Sequence, residues 1–253
     1  MKKYQKINLI IFLCVVFVTS FLFYISERVN QQSFFEKPWH LQPTVHEDSL
    51  SNEYKSLYEI LGKQRVSQQI KDSAKTRVII LVDAWGVSVQ EDLLAEDYSY
   101  FNDVPHIFAL HQRLANRTKH AEHVEFRNDI PENVYLFGGD SLEYNRPEYI
   151  KEIGFFQTIF CQYCDDSTMI GKIDSVLSQD SLKFIAWTTQ SSRSGDRDSL
   201  QHSLRLIADF AKRHPEVKVI VQGTHRPILG PPKVRNSYKA HWVPVVILND
   251  RGR

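Results

Sequence analysis

The chain has 253 residues, 42% of them hydrophobic, a length and composition that suit one globular domain with a tail. Its formal net charge is +1, so no overall electrostatic field favours nucleic acid or an acidic partner. It has only three cysteines, Cys14, Cys161 and Cys164, which excludes a disulfide-dense scaffold.

The first predicted element is an apolar stretch from Ile7 to Ile25. As a helix it would be about 28 Å long, close to the hydrocarbon thickness of a bilayer, about 30 Å. Lys2, Lys3 and Lys6 precede the stretch, so the positive-inside rule predicts a cytoplasmic N-terminus. The alternative is a cleaved signal peptide, but no small-x-small cleavage site follows the apolar core. We therefore predict a single-pass anchor in the cytoplasmic membrane over residues 1–26, with the rest of the chain periplasmic or extracellular.

Residues 27–76 are predicted to link this anchor to a domain over residues 77–253. The first part is polar, contains Pro38 and Pro43, and is typical of a stalk. Apolar residues at helical spacing then predict an amphipathic helix from Glu47 to Gln69.

From Arg77 onward short apolar runs alternate with helical patterns. We expect strands at 77–83, 134–138, 183–188, 217–222 and 243–248, and helices at 105–115, 147–153, 166–178 and 197–213. Runs such as Val78 to Val82 are apolar throughout, as in parallel strands that are buried on both faces. The pattern predicts an α/β fold: a layered sheet of mostly parallel strands with helices on both faces.

Three polar side chains are candidates for one site. Asp83 and His225 each follow a predicted strand, at the edge where ligands bind in such sheets, and Thr118 is expected on a loop. A carboxylate, a hydroxyl and an imidazole can converge on one metal ion. The alternatives are structural: Asp83 could cap a turn, Thr118 could be a surface threonine, and His225 could be a packed loop histidine.

Several fragments, in this order along the chain, resemble motifs of one known family. They are 78–86, which ends in Asp-Ala-Trp-Gly; 117–122, Arg-Thr-Lys-His-Ala-Glu; 144–155, which contains Asn-Arg and Gly-Phe; 223–227, Gly-Thr-His-Arg-Pro; and 238–248. The chain resembles the alkaline phosphatase and sulfatase superfamily from about Arg77 to Asn249. Within it, the resemblance is to the branch of lipoteichoic acid synthases and phosphoethanolamine transferases.

The resemblance implies a role for each matching residue. Thr118 corresponds to the nucleophile and Asp83 and His225 to metal ligands, with Thr118 also near the metal. Arg146, from the Asn-Arg pair, corresponds to an anion clamp on the phosphate. The implied cofactor is a divalent metal ion, Mn²⁺, Mg²⁺ or Zn²⁺, and the implied substrate is an envelope lipid or glycan. Arg146 could instead only form an ion pair with Glu143 or Glu148.

This sequence departs from the family pattern at three places. Thr224 stands where the family has a ligand aspartate, and Arg193 stands where it has a substrate-binding histidine. We expect Arg193 to bind the anion instead; the alternative is that it lies in solvent. The residues 137–140, Phe-Gly-Gly-Asp, replace a segment that carries another histidine. Asp140 could supply the missing carboxylate, and His120 or His123 could add nitrogen ligands.

The prediction from sequence is a membrane-anchored phosphotransferase-like or sulfatase-like protein that acts on phosphodiester or sulfate ester groups through Thr118. The alternative is a catalytically inactive protein of this fold that binds an envelope glycan or a partner protein, which the changes at Thr224 and Arg193 favour. Cys161 and Cys164 form a Cys-x-x-Cys pattern whose spacing suits a local structural disulfide rather than zinc or redox chemistry.

Overall fold

The structure is a computed structural model that describes residues 12, 14–22, 76–112, 118–126, 134–140, 157–179, 183–227, 234, 236–239 and 241–250. The chain divides into two compact units, residues 1–41 and 42–253. In the first unit, residue 12 and residues 14–22 are helical, with exposed apolar side chains such as Phe17. Across the described ranges, no helix combines the length and apolar character needed to cross a membrane. Most of the predicted anchor, and the whole predicted helix from Glu47 to Gln69, lie outside those ranges.

The second unit contains a sheet of seven strands among its described residues. The strands are β1 (Arg77–Val82), β2 (His106–Gln112), β3 (Val134–Gly138), β4 (Gln157–Phe160), β5 (Phe184–Thr188), β6 (Lys218–Gly223) and β7 (Trp242–Leu248). Their order is β2-β7-β6-β1-β5-β3-β4. All neighbouring pairs are parallel except those made by β7, which is antiparallel to both β6 and β2. The sheet is therefore mixed, with β1 near its centre.

The five predicted strands are present, with ends within one residue of those predicted. The predicted helix at 105–115 is wrong, because His106–Gln112 is strand β2, paired along its length with β7. A short apolar run does not by its periodicity distinguish a strand from a helix, and here pairing with β7 decides. Strand β4 was not predicted, since four half-exposed residues at a sheet edge give little pattern.

Four helices and one short 3₁₀ helix connect these strands within the described residues. They are α1 (Glu91–Ser99), α2 (Thr118–Glu125), α3 (Asp166–Leu177), the 3₁₀ helix Ser191–Ser194 and α4 (Arg197–Arg213). The predicted helices at 166–178 and 197–213 are confirmed. Each begins after an aspartate: Asp165 accepts a hydrogen bond from the Thr168 amide, and Asp196 accepts one from the Ser199 amide. The predicted helix at 147–153 lies outside the described residues.

The helices cover both faces of the sheet, as predicted. On one face, α1, α3 and α4 pack against a large core that includes Val78, Ile80 and Val82 of β1. On the other face, Ala121 of α2 and Phe126, just after its end, belong to a smaller core around Ile79 and Leu81. Alternate residues of β1 thus enter opposite cores, which explains why this strand is apolar at every position.

The predicted local disulfide is confirmed. Cys161 and Cys164 are joined in the turn between β4 and α3, and the Cys164 amide also donates to the Cys161 carbonyl. Among the described residues Cys14 is a free cysteine.

Candidate active site at the carboxyl edge of the sheet

Asp83 follows β1 in a turn that directs its carboxylate across the edge of the sheet. Ala84 adopts the left-handed conformation, with φ of 58°, which is unfavourable for a residue with a side chain. In this turn the Ala84 amide donates to Asp83 Oδ1 over 2.9 Å. The Asp83 amide donates to the Thr189 hydroxyl, at the end of neighbouring β5, over 3.0 Å. The backbone on both sides of Asp83 is therefore fixed, and so is its carboxylate.

His225 follows β6, the other neighbour of β1. The two strand ends approach so closely that a Cβ added to Gly223 would lie 1.9 Å from the Trp85 carbonyl oxygen. Only glycine allows this approach. The Thr224 amide then donates to the Val82 carbonyl over 3.1 Å, which continues the pairing of the strands beyond their ends. The Gly-Thr-His segment therefore delivers two side chains, those of Thr224 and His225, next to Asp83.

Thr118 reaches the same point from α2, which packs on one face of the sheet. It is the first residue of α2, so its predicted position on a loop is corrected to the start of a helix. Its hydroxyl donates to Asp83 Oδ1 over 2.6 Å, and its Oγ1 lies 3.1 Å from His225 Nε2. His225 Nε2 in turn lies 3.3 Å from Asp83 Oδ1. The three candidates therefore surround one point, although 35 and 107 positions separate Thr118 from Asp83 and His225.

The arrangement fits a cation. His225 Nδ1 lies 2.7 Å from the Arg226 carbonyl oxygen, so Nδ1 carries a proton and donates it there. In the neutral imidazole, Nε2 then turns its lone pair towards Asp83 Oδ1 and Thr118 Oγ1. Because Thr118 gives its proton to Asp83 Oδ1, the contact that lacks a bridging proton in this tautomer is that of His225 Nε2 with Asp83 Oδ1, over 3.3 Å. A divalent cation bound at this point would be attracted by both atoms.

The separations also suit metal ligands. Ligands held about 2.1 Å from one ion lie about 3.0 to 3.4 Å apart. Two of the three separations, 3.1 and 3.3 Å, are in this range, and the third, 2.6 Å, is that of a short hydrogen bond. In the described parts of the chain no group of three or more His, Cys, Asp or Glu side chains is placed to hold a metal ion. The donor set here is one carboxylate, one imidazole and hydroxyl groups.

Thr224 stands where the resemblance implies a second carboxylate. Its hydroxyl donates to Asp83 Oδ1 over 3.1 Å. Asp83 Oδ1 thus accepts hydrogen bonds from Thr118, Thr224 and the Ala84 amide. All four side chains, those of Asp83, Thr118, Thr224 and His225, are at most 5% exposed. The Asp83 carboxylate is therefore shielded from water and compensated by hydrogen bonds.

The other predicted site residues are distributed as follows. Arg193 lies in the 3₁₀ helix that follows β5, so it belongs to the same edge of the sheet, and it is exposed. Arg146 lies outside the described residues, and the side chains of His120 and His123 are also outside them. Asp140 follows β3, two strands from β1, or about 10 Å along the edge. Its carboxylate accepts a hydrogen bond from the Gln162 amide over 3.3 Å.

Sequence reasoning missed Thr189. Its hydroxyl accepts from the Asp83 amide and lies 2.7 Å from the Ser192 hydroxyl, and all three residues are buried. The signal was present, because Thr189 follows the predicted strand 183–188 just as Asp83 follows β1. Polar residues directly after parallel strands meet at one edge of the sheet.

A buried carboxylic acid lies beneath the turn that carries Asp83. Burial raises the pKa of Asp97 to about 6, although the Arg197 guanidinium, 2.6 Å away, and the Trp85 indole N–H oppose the rise. Trp85 Nε1 donates to Asp97 Oδ2 over 3.0 Å. The turn is thus linked through Trp85 to a group that titrates in mildly acidic solution.

Comparisons with known proteins give structural likeness only. No family model matches the chain, and no curated protein matches it in sequence. A protein in the alkaline phosphatase superfamily from Vibrio parahaemolyticus matches with a TM-score of 0.47 and 15% identity, over 69% of this chain and 60% of that one. A lipoteichoic acid synthase from Listeria monocytogenes matches with a TM-score of 0.47 and 11% identity, over 69% of this chain and 65% of that one.

A phosphoglycerol transferase from Streptococcus pyogenes, solved in complex with sn-glycerol-1-phosphate, matches with a TM-score of 0.46 and 12% identity, over 72% of this chain and 71% of that one. The chain spans less than two thirds of the length of the Vibrio and Listeria proteins. The Vibrio protein is a member of the alkaline phosphatase superfamily, the one that the sequence motifs of this chain resemble.

Proposed function

We propose that this protein transfers or hydrolyses phosphodiester or sulfate ester groups of cell-envelope lipids or glycans, with Thr118 as the nucleophile. The observation that carries the proposal is the contact of Thr118 Oγ1 with both Asp83 Oδ1 and His225 Nε2, at 2.6 and 3.1 Å. A free threonine hydroxyl is a poor nucleophile and needs an acceptor for its proton. Here two acceptors touch it in a site from which water is largely excluded.

In the proposed reaction, a bond forms between Thr118 Oγ1 and the phosphorus atom while the bond from phosphorus to the leaving alcohol oxygen breaks. The Thr118 proton passes to Asp83 Oδ1, its nearest acceptor, and from there to the oxygen of the leaving alcohol. An acceptor hydroxyl or water then attacks phosphorus and the bond from phosphorus to Thr118 Oγ1 breaks. The proton of the attacking hydroxyl passes through Asp83 Oδ1 back to Thr118. Transfer and hydrolysis therefore differ only in the acceptor.

Asp83 and His225, with Thr118, are the residues that would hold a divalent metal ion. Such an ion would lower the pKa of the Thr118 hydroxyl and neutralise charge on the transferred group. The orientation of His225 supports this role, because its Nδ1–H is fixed by the Arg226 carbonyl and its Nε2 faces the site.

Arg193 and Arg146 are proposed to bind the anionic oxygens of the substrate. Arg193 lies beyond the end of β5, next to β1, and a guanidinium can bind two such oxygens at once. The role of Arg146 depends on the resemblance alone.

We also propose that this domain lies outside the cytoplasmic membrane, held there by the predicted N-terminal anchor. The disulfide between Cys161 and Cys164 supports this location, since disulfides persist in oxidising compartments. A membrane lipid or an envelope glycan would then be within reach.

A second candidate function is binding without catalysis. Asp83 Oδ1 is already satisfied by three donors, and Thr224 leaves the site with one carboxylate. Such a site is stable without a metal ion. An inactive protein of this kind would bind an envelope glycan or a partner protein.

The test uses the full-length chain in detergent, as wild type, Thr118→Ala and Thr168→Ala, the last a control on the exposed surface of α3. Divalent metal content is measured, together with hydrolysis of bis(p-nitrophenyl) phosphate and of an aryl sulfate. Phosphorylation of Thr118 after incubation with phosphatidylglycerol or phosphatidylethanolamine is followed by mass spectrometry. We expect activity in wild type and Thr168→Ala only. Equal activity of Thr118→Ala would end the nucleophile role, and inactivity of all three without bound metal would favour the binding protein.

A further inference from the structure

The buried face of α2 is unusually polar. Among the described side chains, the buried ones of α2 and of the residue that follows it are Thr118, Ala121, Glu122, Glu125 and Phe126, and all are at most 8% exposed. Only two of these five are apolar. Because a buried carboxylate costs free energy that an apolar side chain would not, this face is poorly suited to stability alone.

Glu122 forms the first attachment of this helix to the sheet. It lies one turn after Thr118, and its Oε1 accepts a hydrogen bond of 2.6 Å from the Thr188 hydroxyl at the end of β5. Both residues are fully buried. A short, charge-assisted hydrogen bond in such a place is directional and strong.

Glu125 forms the second attachment, two turns after Thr118 and on the other side of β1. Its Oε1 lies 3.2 Å from His111 Nε2 of β2 and 3.4 Å from Gln222 Nε2 of β6. All three residues are at most 4% exposed. Within the described residues, Glu125 Oε2 and Gln222 Oε1 have no hydrogen-bond partner, so this attachment is costly.

The two attachments lie on opposite sides of β1, to β5 on one side and to β6 and β2 on the other. Apolar contacts alone would let a helix of eight residues rotate or slide by a fraction of an ångström. Directional bonds at two separated points prevent both movements. The residue whose position they determine is Thr118, at the start of the helix.

We infer that Glu122 and Glu125 are positioning residues for Thr118, which hold its hydroxyl against Asp83 and His225. The inference rests on the proposed function for its effect on turnover, but not for its effect on the helix. A displacement of the reacting group by about 1 Å can lower a rate by about 100-fold. Loss of either attachment should therefore lower kcat strongly, while the stability falls only as it does when a comparable buried hydrogen bond is lost elsewhere.

The chain offers a matched pair of variants. Thr188→Val removes the hydroxyl that binds Glu122, and Ser203→Ala removes a hydroxyl that donates to Asp166 Oδ2 over the same distance of 2.6 Å. Thr188 and Ser203 are both fully buried, but Ser203 lies in α4, on the opposite face of the sheet. Each variant thus removes one hydroxyl that donates a hydrogen bond to a buried carboxylate. Of the two carboxylates, Glu122 belongs to α2 and Asp166 does not.

In the full-length protein we expect comparable decreases in Tm for the two variants. Only Thr188→Val should lower kcat of the Thr118-dependent reaction, by tenfold or more, with KM within about twofold of wild type. Glu122→Gln should restore most of kcat relative to Glu122→Leu, because its amide oxygen still accepts from Thr188. Equal effects of Thr188→Val and Ser203→Ala on kcat, or none from either, would overturn the inference.

A second measurement separates this inference from the proposed function. Amide hydrogen exchange of α2, together with a crystal structure of Thr188→Val, reports the position of Thr118 whether or not the protein turns over a substrate. Faster exchange in α2 and a longer Thr118–Asp83 distance in Thr188→Val, but not in Ser203→Ala, would support the inference even if wild type proves inactive. Unchanged exchange and distance would refute it and leave the proposed function standing.

Discussion

The hydroxyl of Thr224 donates a hydrogen bond to Asp83 Oδ1 over 3.1 Å, at the place where the resemblance implies a second carboxylate. Without a metal ion, a carboxylate at this position would repel Asp83, whereas the Thr224 hydroxyl forms a hydrogen bond with it. A threonine here therefore stabilises the site without metal, and it would weaken the attraction for the proposed divalent cation, because one negative ligand fewer would face the cation.

Thr224→Asp should therefore tighten binding of Mn²⁺ or Zn²⁺ by tenfold or more, while lowering the stability of the metal-free protein. Two buried carboxylates that share one site repel each other, and added metal relieves the repulsion. Isothermal titration calorimetry and Tm measured with and without metal would show both effects. Thr224→Val is the control, since it removes the hydrogen bond without adding charge. Identical metal affinity in Thr224→Asp and wild type would show that residue 224 does not face the metal.

Gly223→Ala should disrupt the site through the backbone. The added Cβ would lie 1.9 Å from the Trp85 carbonyl oxygen and 3.1 Å from Pro244 Cδ, so β1 and β6 would have to separate at their ends. We expect a loss of more than about 2 kcal/mol in the free energy of unfolding.

The matched control is Gly171→Ala. Gly171 lies within α3, and a Cβ there meets no atom within 4 Å. Alanine should stabilise the helix by about 0.5 to 1 kcal/mol. Urea denaturation would measure both variants, and a stable Gly223→Ala protein with normal metal binding would contradict the described contact of the two strand ends.

The convergence of the site could be predicted because it follows from strand direction. Asp83 and His225 each follow an apolar run that is buried on both faces, and parallel strands bring such positions to one edge. Periodicity also predicted α3 and α4 correctly, since each has an apolar stripe at helical spacing.

What could not be predicted depends on partners that are distant in the sequence. The run from His106 to Gln112 is a strand because β7 pairs with it, and its own residues do not distinguish strand from helix. The polar face of α2 is equally hidden, because Glu122 and Glu125 look like exposed residues until Thr188 and His111 are seen to contact them.

Loss of the disulfide between Cys161 and Cys164 should lower stability without affecting Thr118. The bond closes a very short loop, so the expected loss is about 2 kcal/mol. The turn follows β4. This strand lies three strand positions from β1, a distance of about 14 Å across the sheet. Thermal unfolding of a Cys161→Ser/Cys164→Ser variant would measure the loss. A parallel fall in turnover, measured well below its Tm, would show that the turn contributes to the site.

Asp97 should make stability depend on pH in the direction opposite to that of most carboxylates. Its pKa is about 6 in the folded protein and 3.8 is its ordinary value, so the folded state binds the extra proton between these values. Its contribution is therefore fully present below about pH 4, is lost as the pH rises to about 6, and stays lost above. Asp97→Asn has no proton to lose over this range, so its stability does not fall in this way. Between pH 4 and pH 7 the free energy of unfolding of Asp97→Asn, relative to that of wild type, should therefore rise by about 2 to 3 kcal/mol.

Glu96 is the neighbouring control, because it contacts the same guanidinium with the opposite effect. Its hydrogen bond with Arg197 lowers the pKa of this exposed carboxylate, so its contribution to stability is present at neutral pH and is lost as the pH falls. Glu96→Gln should therefore become less stable relative to wild type as the pH rises, whereas Asp97→Asn becomes more stable. Urea denaturation at half-unit steps from pH 4 to pH 7 would compare the variants. Stability curves of Asp97→Asn and wild type that run parallel over this range would show that Asp97 does not hold its proton in the folded protein.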